Sequence, residues 1–86
     1  MVTITLAKFR RRLTPEEIER TPKTIQDGGG KVLSAYWTLG RFDAVLTIEW
    51  PNEKAAMGTL SKLMDAASSE TLVAVPRAEA VKLAGY

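Results

Sequence analysis

The sequence predicts an α+β domain in which a four-stranded antiparallel sheet carries its helices on one face. Three observations lead there: two strand-like runs joined by a turn in mid-chain, a strand-like run towards each end, and helix-start chemistry on both sides of the central hairpin. The order is strand, helix, strand, strand, helix, strand. Right-handed crossovers then favour the ferredoxin-like βαββαβ arrangement, with spatial order four, one, three, two. At 86 residues the chain makes a single domain, residues 1–86. A domain of that size buries only about 60% of the surface its unfolded chain exposes, so association with a copy of itself would add needed stability.

Each element has a local cause. Val2 to Phe9 alternates Thr3 and Thr5 with Ile4 and Leu6 and is rich in β-branched residues, which suit a strand. Thr14-Pro15-Glu16-Glu17 starts a helix, with Thr14 as cap, Pro15 in the first turn and two carboxylates near the positive end of the helix dipole. Thr21-Pro22 reads as a second start, because proline removes a donor and crowds the preceding turn; two short helical pieces with a break near Thr21 are expected. Gly28-Gly29-Gly30 stops the helix. The triplet precedes a strand instead of opening a helix, so it does not make a phosphate cradle.

Lys31 to Leu39 and Ala44 to Trp50 form the hairpin, joined by Gly40 to Asp43. If Leu39 faces Ala44, then Trp37 meets Leu46, Ala35 meets Ile48 and Leu33 meets Trp50 on the core side. Asn52 caps the main helix. Its stripe of Ala56, Met57, Leu60, Leu63, Met64 and Ala67 is expected to cover Trp37, Leu46 and Ile48. Ser68-Ser69-Glu70 breaks that helix, Thr71 to Val75 is the last strand, and an alanine-rich, weakly helical tail follows Pro76.

Composition removes several function classes. Cysteine and histidine are both absent, which takes away disulfides, thiolate metal ligands and the side chain that most often serves as general base near neutral pH. No metal site and no cofactor are expected. The net charge is +2, and the basic cluster Lys8 and Arg10-Arg11-Arg12 is followed by Glu16, Glu17 and Glu19, so nucleic acid is not an expected partner. The alternating start fits neither a signal peptide nor a membrane span. The expectation is a cytoplasmic protein.

Helices on one face of the sheet leave the other open, with Tyr36, Thr38, Val45, Thr47, Val73 and Val75 looking outward. That half-apolar surface suits either water or an identical sheet. At this point the segments "GGKVLSAYWTLGRFDAVLTIEWPNEKAA" and "SSETLVAVP" resemble the GYD domain family, named for a Gly, a Tyr and an Asp at the hairpin. The resemblance covers roughly residues 28 to 76 and implies the dimeric α/β-barrel superfamily, in which two ferredoxin-like sheets pack face to face. It favours a homodimer, with the six residues above as its interface. It supplies no activity: related families include cofactor-free monooxygenases, dehydratase-like enzymes and amino-acid-sensing domains of transcription regulators. The chain departs from the family pattern at Phe42 (usually Tyr), Trp50 (usually small) and Asn52 (usually Asp). Its segment from Pro22 to Gly28 looks shorter than the family's first helix.

Asp43 is the one candidate for a catalytic residue. Its structural reading is a turn acceptor for backbone N–H groups; its functional reading is a carboxylate base at the mouth of a pocket. Trp37 and Trp50 read first as core. Should the first helix leave space above them, they would line, with Asp43, an apolar cavity for a small hydrophobic ligand, and convergent arginines would suit an anionic one. Three functions follow in order: a small-molecule-binding or regulatory homo-oligomer without chemistry of its own, a cofactor-independent enzyme acting on a hydrophobic substrate, and an accessory protein working through protein contacts.

Overall fold

A computed structural model describes residues 1–85. The elements are β1 (Val2–Phe9), α1 (Pro15–Asp27), β2 (Lys31–Trp37), β3 (Ala44–Glu49), α2 (Glu53–Leu60), a 3-10 turn (Ser61–Leu63), β4 (Ala67–Ala74) and α3 (Arg77–Leu83). The strands form one antiparallel sheet in the order β2-β3-β1-β4, which is the ferredoxin-like order expected.

β1 is central, and its alternation decides what each face of the sheet is made of. Thr3, Thr5 and Ala7 pair with Ile48, Leu46 and Ala44 of β3 and lie on the helix-covered side. Thr3 is 1% exposed and Thr5 5%. Val2, Ile4 and Leu6 therefore point to the side opposite α1 and α2, together with Val45, Thr47 and, on β4, Leu72. The threonines are accommodated because their hydroxyls are paired: Thr3 Oγ1 accepts the Trp50 indole N–H at 2.9 Å, and Thr5 shares a hydrogen bond with Thr71 at 3.0 Å.

The core is a small corner cluster of Ile25, Ile48, Trp50 and Ala56, with Leu46, Leu60 and Leu63 packed against it. Glycine makes the corner possible. A Cβ on Gly30 would come within 2.7 Å of Ile25 Cγ2 and 2.8 Å of the Trp50 ring, and one on Gly28 would collide with Thr59. The triplet that ends α1 thus also lets the chain pass against the tryptophan.

Several expectations are corrected. α1 runs unbroken through Pro22. Thr21 and Thr24 donate their hydroxyls to the carbonyls of Glu17 and Arg20, at 2.8 and 3.1 Å, and Ile25, just beyond the proline, is fully buried. That burial and the packing around it offset a proline cost of about 3 kcal/mol. The hairpin register is displaced by two residues: Trp37 pairs with Ala44 and Ala35 with Leu46. A shift of two keeps the side chains from Ser34 to Trp37 on their expected faces. The connection becomes Thr38 to Asp43, closed by Thr38, whose N–H reaches the Asp43 carbonyl at 2.9 Å and whose hydroxyl reaches the Phe42 carbonyl at 2.7 Å. Gly40, at φ +109°, supplies its left-handed corner. A bulge between Val32 and Ser34 absorbs one residue, and Leu33 is exposed instead of facing Trp50.

The second helix stops at Leu60, because β4 begins at Ala67 and pairs along the whole of β1, from Phe9 opposite Ala67 to Val2 opposite Ala74. Ser68 to Glu70 is strand, not a break. The shortened stripe leaves Met57 and Met64 exposed instead of in the core. The same register puts Val73 opposite Thr3, on the helix side of the sheet and not on the open face, and Val75 lies past the end of β4.

Thr3→Val leaves the buried Trp50 N–H without an acceptor and is expected to lower unfolding stability by about 1–3 kcal/mol in a urea titration. Gly30→Ala, overpacking the same corner, is expected to lower it by a similar 1–3 kcal/mol.

Candidate functional site

α1 and α2 approach one another at the corner, where Gly28 meets Thr59, and away from it they leave part of the sheet unroofed. A cleft of about 620 Å³ opens there. Its floor is Thr5, Ala7, Ala35, Ala44 and Leu46; Ile18, Thr21 and Pro22 of α1 form one wall, and Leu60 and Leu63 the other. Phe9 and Trp37 also line it, their rings meeting edge to face at 5.0 Å and 63°. The space has a simple origin: three alanines and a threonine stand where large side chains would otherwise reach up to the helices. The volume lies within the range of small-molecule sites.

The residues singled out from the sequence do not converge. Trp37 lies in the cleft and is 65% exposed, so it is not the core residue first expected. Trp50 is 2% exposed and is the centre of the corner core, outside the cleft. Asp43 is also outside it. Its Oδ2 accepts the Phe9 N–H at 2.8 Å and lies 3.5 Å from Lys8 Nζ, while its own N–H donates to the Ala7 carbonyl at 2.8 Å. These contacts tie the hairpin loop to the end of β1: the carboxylate accepts a backbone N–H, but that of β1 and not one from its own turn. Arg41 lies 5.5 Å over the Phe42 ring. Tyr36, Val45 and Thr47 lie on the open face by register, and Thr38 follows β2 with its hydroxyl already bonded.

Two groups of residues were missed. The cleft floor was not foreseen, although Ala7, Ala35 and Ala44 signal a thinly filled layer once the faces are known. On the open face Val2, Ile4, Leu6 and Leu72 were missed. In the sequence either parity of β1 can face inward; the Trp50–Thr3 hydrogen bond selects the threonines.

The cleft rim is charged. Arg11 grips Glu17 with two hydrogen bonds of 2.7 and 2.9 Å, and the Thr14 N–H adds a third at 3.1 Å. The Arg11 hydrogen bonds first, and the Thr14 backbone next, hold the Glu17 carboxyl down at about 2, while Glu17 raises Arg11. Glu17 is therefore an ionised clamp and not a base at neutral pH. Arg20, Lys62 and Asp65 complete the rim, and none of the three has an ion-pair partner among the described residues. Among those residues no group of His, Cys, Asp or Glu is placed to hold a metal, and no helix is long and apolar enough to cross a membrane.

The family described as GYD domain matches residues 6–84. The chain belongs to the GYD domain family. This family falls in the dimeric α/β-barrel, ferredoxin-like fold group, and the match extends well beyond the hairpin segment that carries the sequence resemblance. Three solved structures share the fold with this GYD protein. FFRP-DM1 is 20% identical, at a TM-score of 0.55, over 87% of this chain and 100% of its own. An AsnC family transcriptional regulator from Agrobacterium tumefaciens is 16% identical, at a TM-score of 0.54, over 88% of this chain and 52% of its own. The leucine response regulatory protein of Mycobacterium tuberculosis is 14% identical, at a TM-score of 0.52, over 87% of this chain and 51% of its own. The GYD chain thus spans about half the length of each of these two regulators. No curated protein matches it.

Asp43→Ala is expected to lower the melting temperature by leaving the Phe9 N–H without its acceptor, a loss of about 1–3 kcal/mol, whereas Asp43→Asn, which keeps a carbonyl oxygen, loses less. The lowered Glu17 pKa makes a second prediction. A carboxyl depressed on folding contributes stability that is present above its unfolded value near 4.5 and is lost as pH falls towards 2. Acid titration followed by circular dichroism is expected to show a shallower loss of stability over that window in Glu17→Gln.

Proposed function

We propose that this GYD protein is a homodimeric small-molecule-binding protein of regulatory type, without chemistry of its own. Two copies pack through their open sheet faces, and each holds a ligand in the cleft between its sheet and its helices. The observation that carries this reading is the side-chain distribution on β1. Its small and hydroxylated residues, Thr3, Thr5 and Ala7, face the helices, and Thr5 and Ala7 leave the cleft half-filled, while Val2, Ile4 and Leu6 are turned to the opposite face.

A soluble domain gains little by placing a central strand's aliphatic side chains in water, and a twin sheet would remove roughly 800 Å² per partner from it. Tyr36, Val45, Thr47 and Leu72 extend that surface across the three other strands. The fold group of the family supports the same pairing. The carboxylates support binding in preference to catalysis: Asp43 is engaged away from the cleft, Glu17 is clamped by Arg11, and Asp65 has no second acid paired with it at the rim. Two structures of the same fold are named as regulatory proteins, which favours a sensing role over a metabolic one.

Light scattering at micromolar concentration is expected to give twice the chain mass for the protein and the single-chain mass for Ile4→Glu, which puts a charge in the middle of the open face. A wild-type chain that scatters as a monomer removes the dimer from this reading. Native mass spectrometry of protein from its own source is expected to show a retained small molecule released on denaturation.

A further inference from the structure

We infer that the cleft takes an aromatic or similarly flat apolar molecule bearing one anionic group, with its body against Trp37 and Phe9 and its anion between Arg20 and Lys62. This rests on the cleft being a ligand site and goes further by naming the chemistry of the ligand. Arg11 and Glu17 neutralise each other through a bidentate pair, so they offer little to a guest. Of the remaining rim charges, Arg20 and Lys62 are cations and Asp65 alone is an anion, and the cations have no carboxylate within ion-pair distance among the described residues. A cleft with surplus positive charge at its lip and an apolar floor attracts a molecule that is apolar at one end and negative at the other.

The aromatic preference comes from Trp37. Its ring is largely exposed although it sits beside an apolar cavity, and it meets Phe9 edge to face. The indole N–H of Trp50 is bonded to Thr3, whereas that of Trp37 has no partner among the described residues. Trp37 therefore presents an unoccupied aromatic surface and a free donor to the same space. A planar guest would stack on the former, and a ring or carboxylate oxygen would accept from the latter. The threonines of the floor and wall, Thr5 and Thr21, already spend their hydroxyl protons or lone pairs within the chain, which weakens their part in recognising a polar guest.

Two dyes test this with the full chain: anilinonaphthalene sulfonate, an aromatic anion, and N-phenylnaphthylamine, the same aromatic body without charge. The expected result is that the sulfonate binds about ten-fold or more tightly than the amine, with energy transfer from tryptophan that is reduced in Trp37→Phe, where Trp50 remains as donor. Its affinity should fall with added salt. In Arg20→Gln with Lys62→Gln it should drop towards that of the amine, whose own affinity is unchanged. Ala35→Phe, which fills the floor from an exposed edge-strand position, should weaken both dyes. Equal affinity for the two dyes, or a sulfonate affinity indifferent to salt and to the double variant, overturns the inference while leaving a neutral-ligand cleft in place. Dye binding unaffected by Ala35→Phe and Trp37→Phe overturns the cleft as a ligand site and the inference with it.

Discussion

The hydrogen bond from the Trp50 indole to the Thr3 hydroxyl, with Ile25, Ile48 and Ala56 packed around it, is the contact on which the arrangement of sheet and helices depends. Trp50 stands just past the end of β3 and Thr3 near the start of β1, so the bond joins the two central strands at one end of the sheet. It also fixes which way β1 faces. With Thr3 turned inward, period-two alternation carries Thr5 and Ala7 inward as well and sends Val2, Ile4 and Leu6 out. The helices are then pinned where the corner is full, at Gly28, Gly30 and Thr59, and span a thinner layer elsewhere.

That single choice of parity has opposite effects on the two faces. Threonine and alanine do not fill the distance between sheet and helix, so a cleft remains on the covered side. Aliphatic residues on the bare side create a surface suited to a second sheet. A chain with the reverse parity would have a denser core, a more polar outer face and no cleft. The domain accepts a small core, and with it thin stability for its size, in exchange for two surfaces able to receive something else.

Much of the fold was legible in the sequence because its signals are local. The Thr14 cap, the Asn52 cap and the β-branched runs each act over a few residues, and the topology follows from their order. What stayed hidden depends on contacts distant in sequence. The continuity of α1 through Pro22 is decided by Ile25 reaching Trp50; the length of β4 is decided by β1 pairing across it; the hairpin register shifts because Asp43 binds the backbone of Phe9 and Ala7. The site was the least legible part. Trp37 and Trp50 look alike in the sequence, yet one closes the core and the other faces the cleft, a difference set by which of them reaches Thr3. A cavity is defined by what its lining lacks, and three scattered alanines announce nothing until the sheet brings them together.

The far wall of the cleft comes from the end of α2, a 3-10 turn and the few residues leading into β4, and it meets the corner core through Leu60 and Leu63. One more turn of helix there would narrow the chamber and a shorter loop would broaden it, and either change leaves the Trp50–Thr3 hydrogen bond itself in place. The width of the chamber can thus vary along that wall while the bond that orients β1 stays as it is.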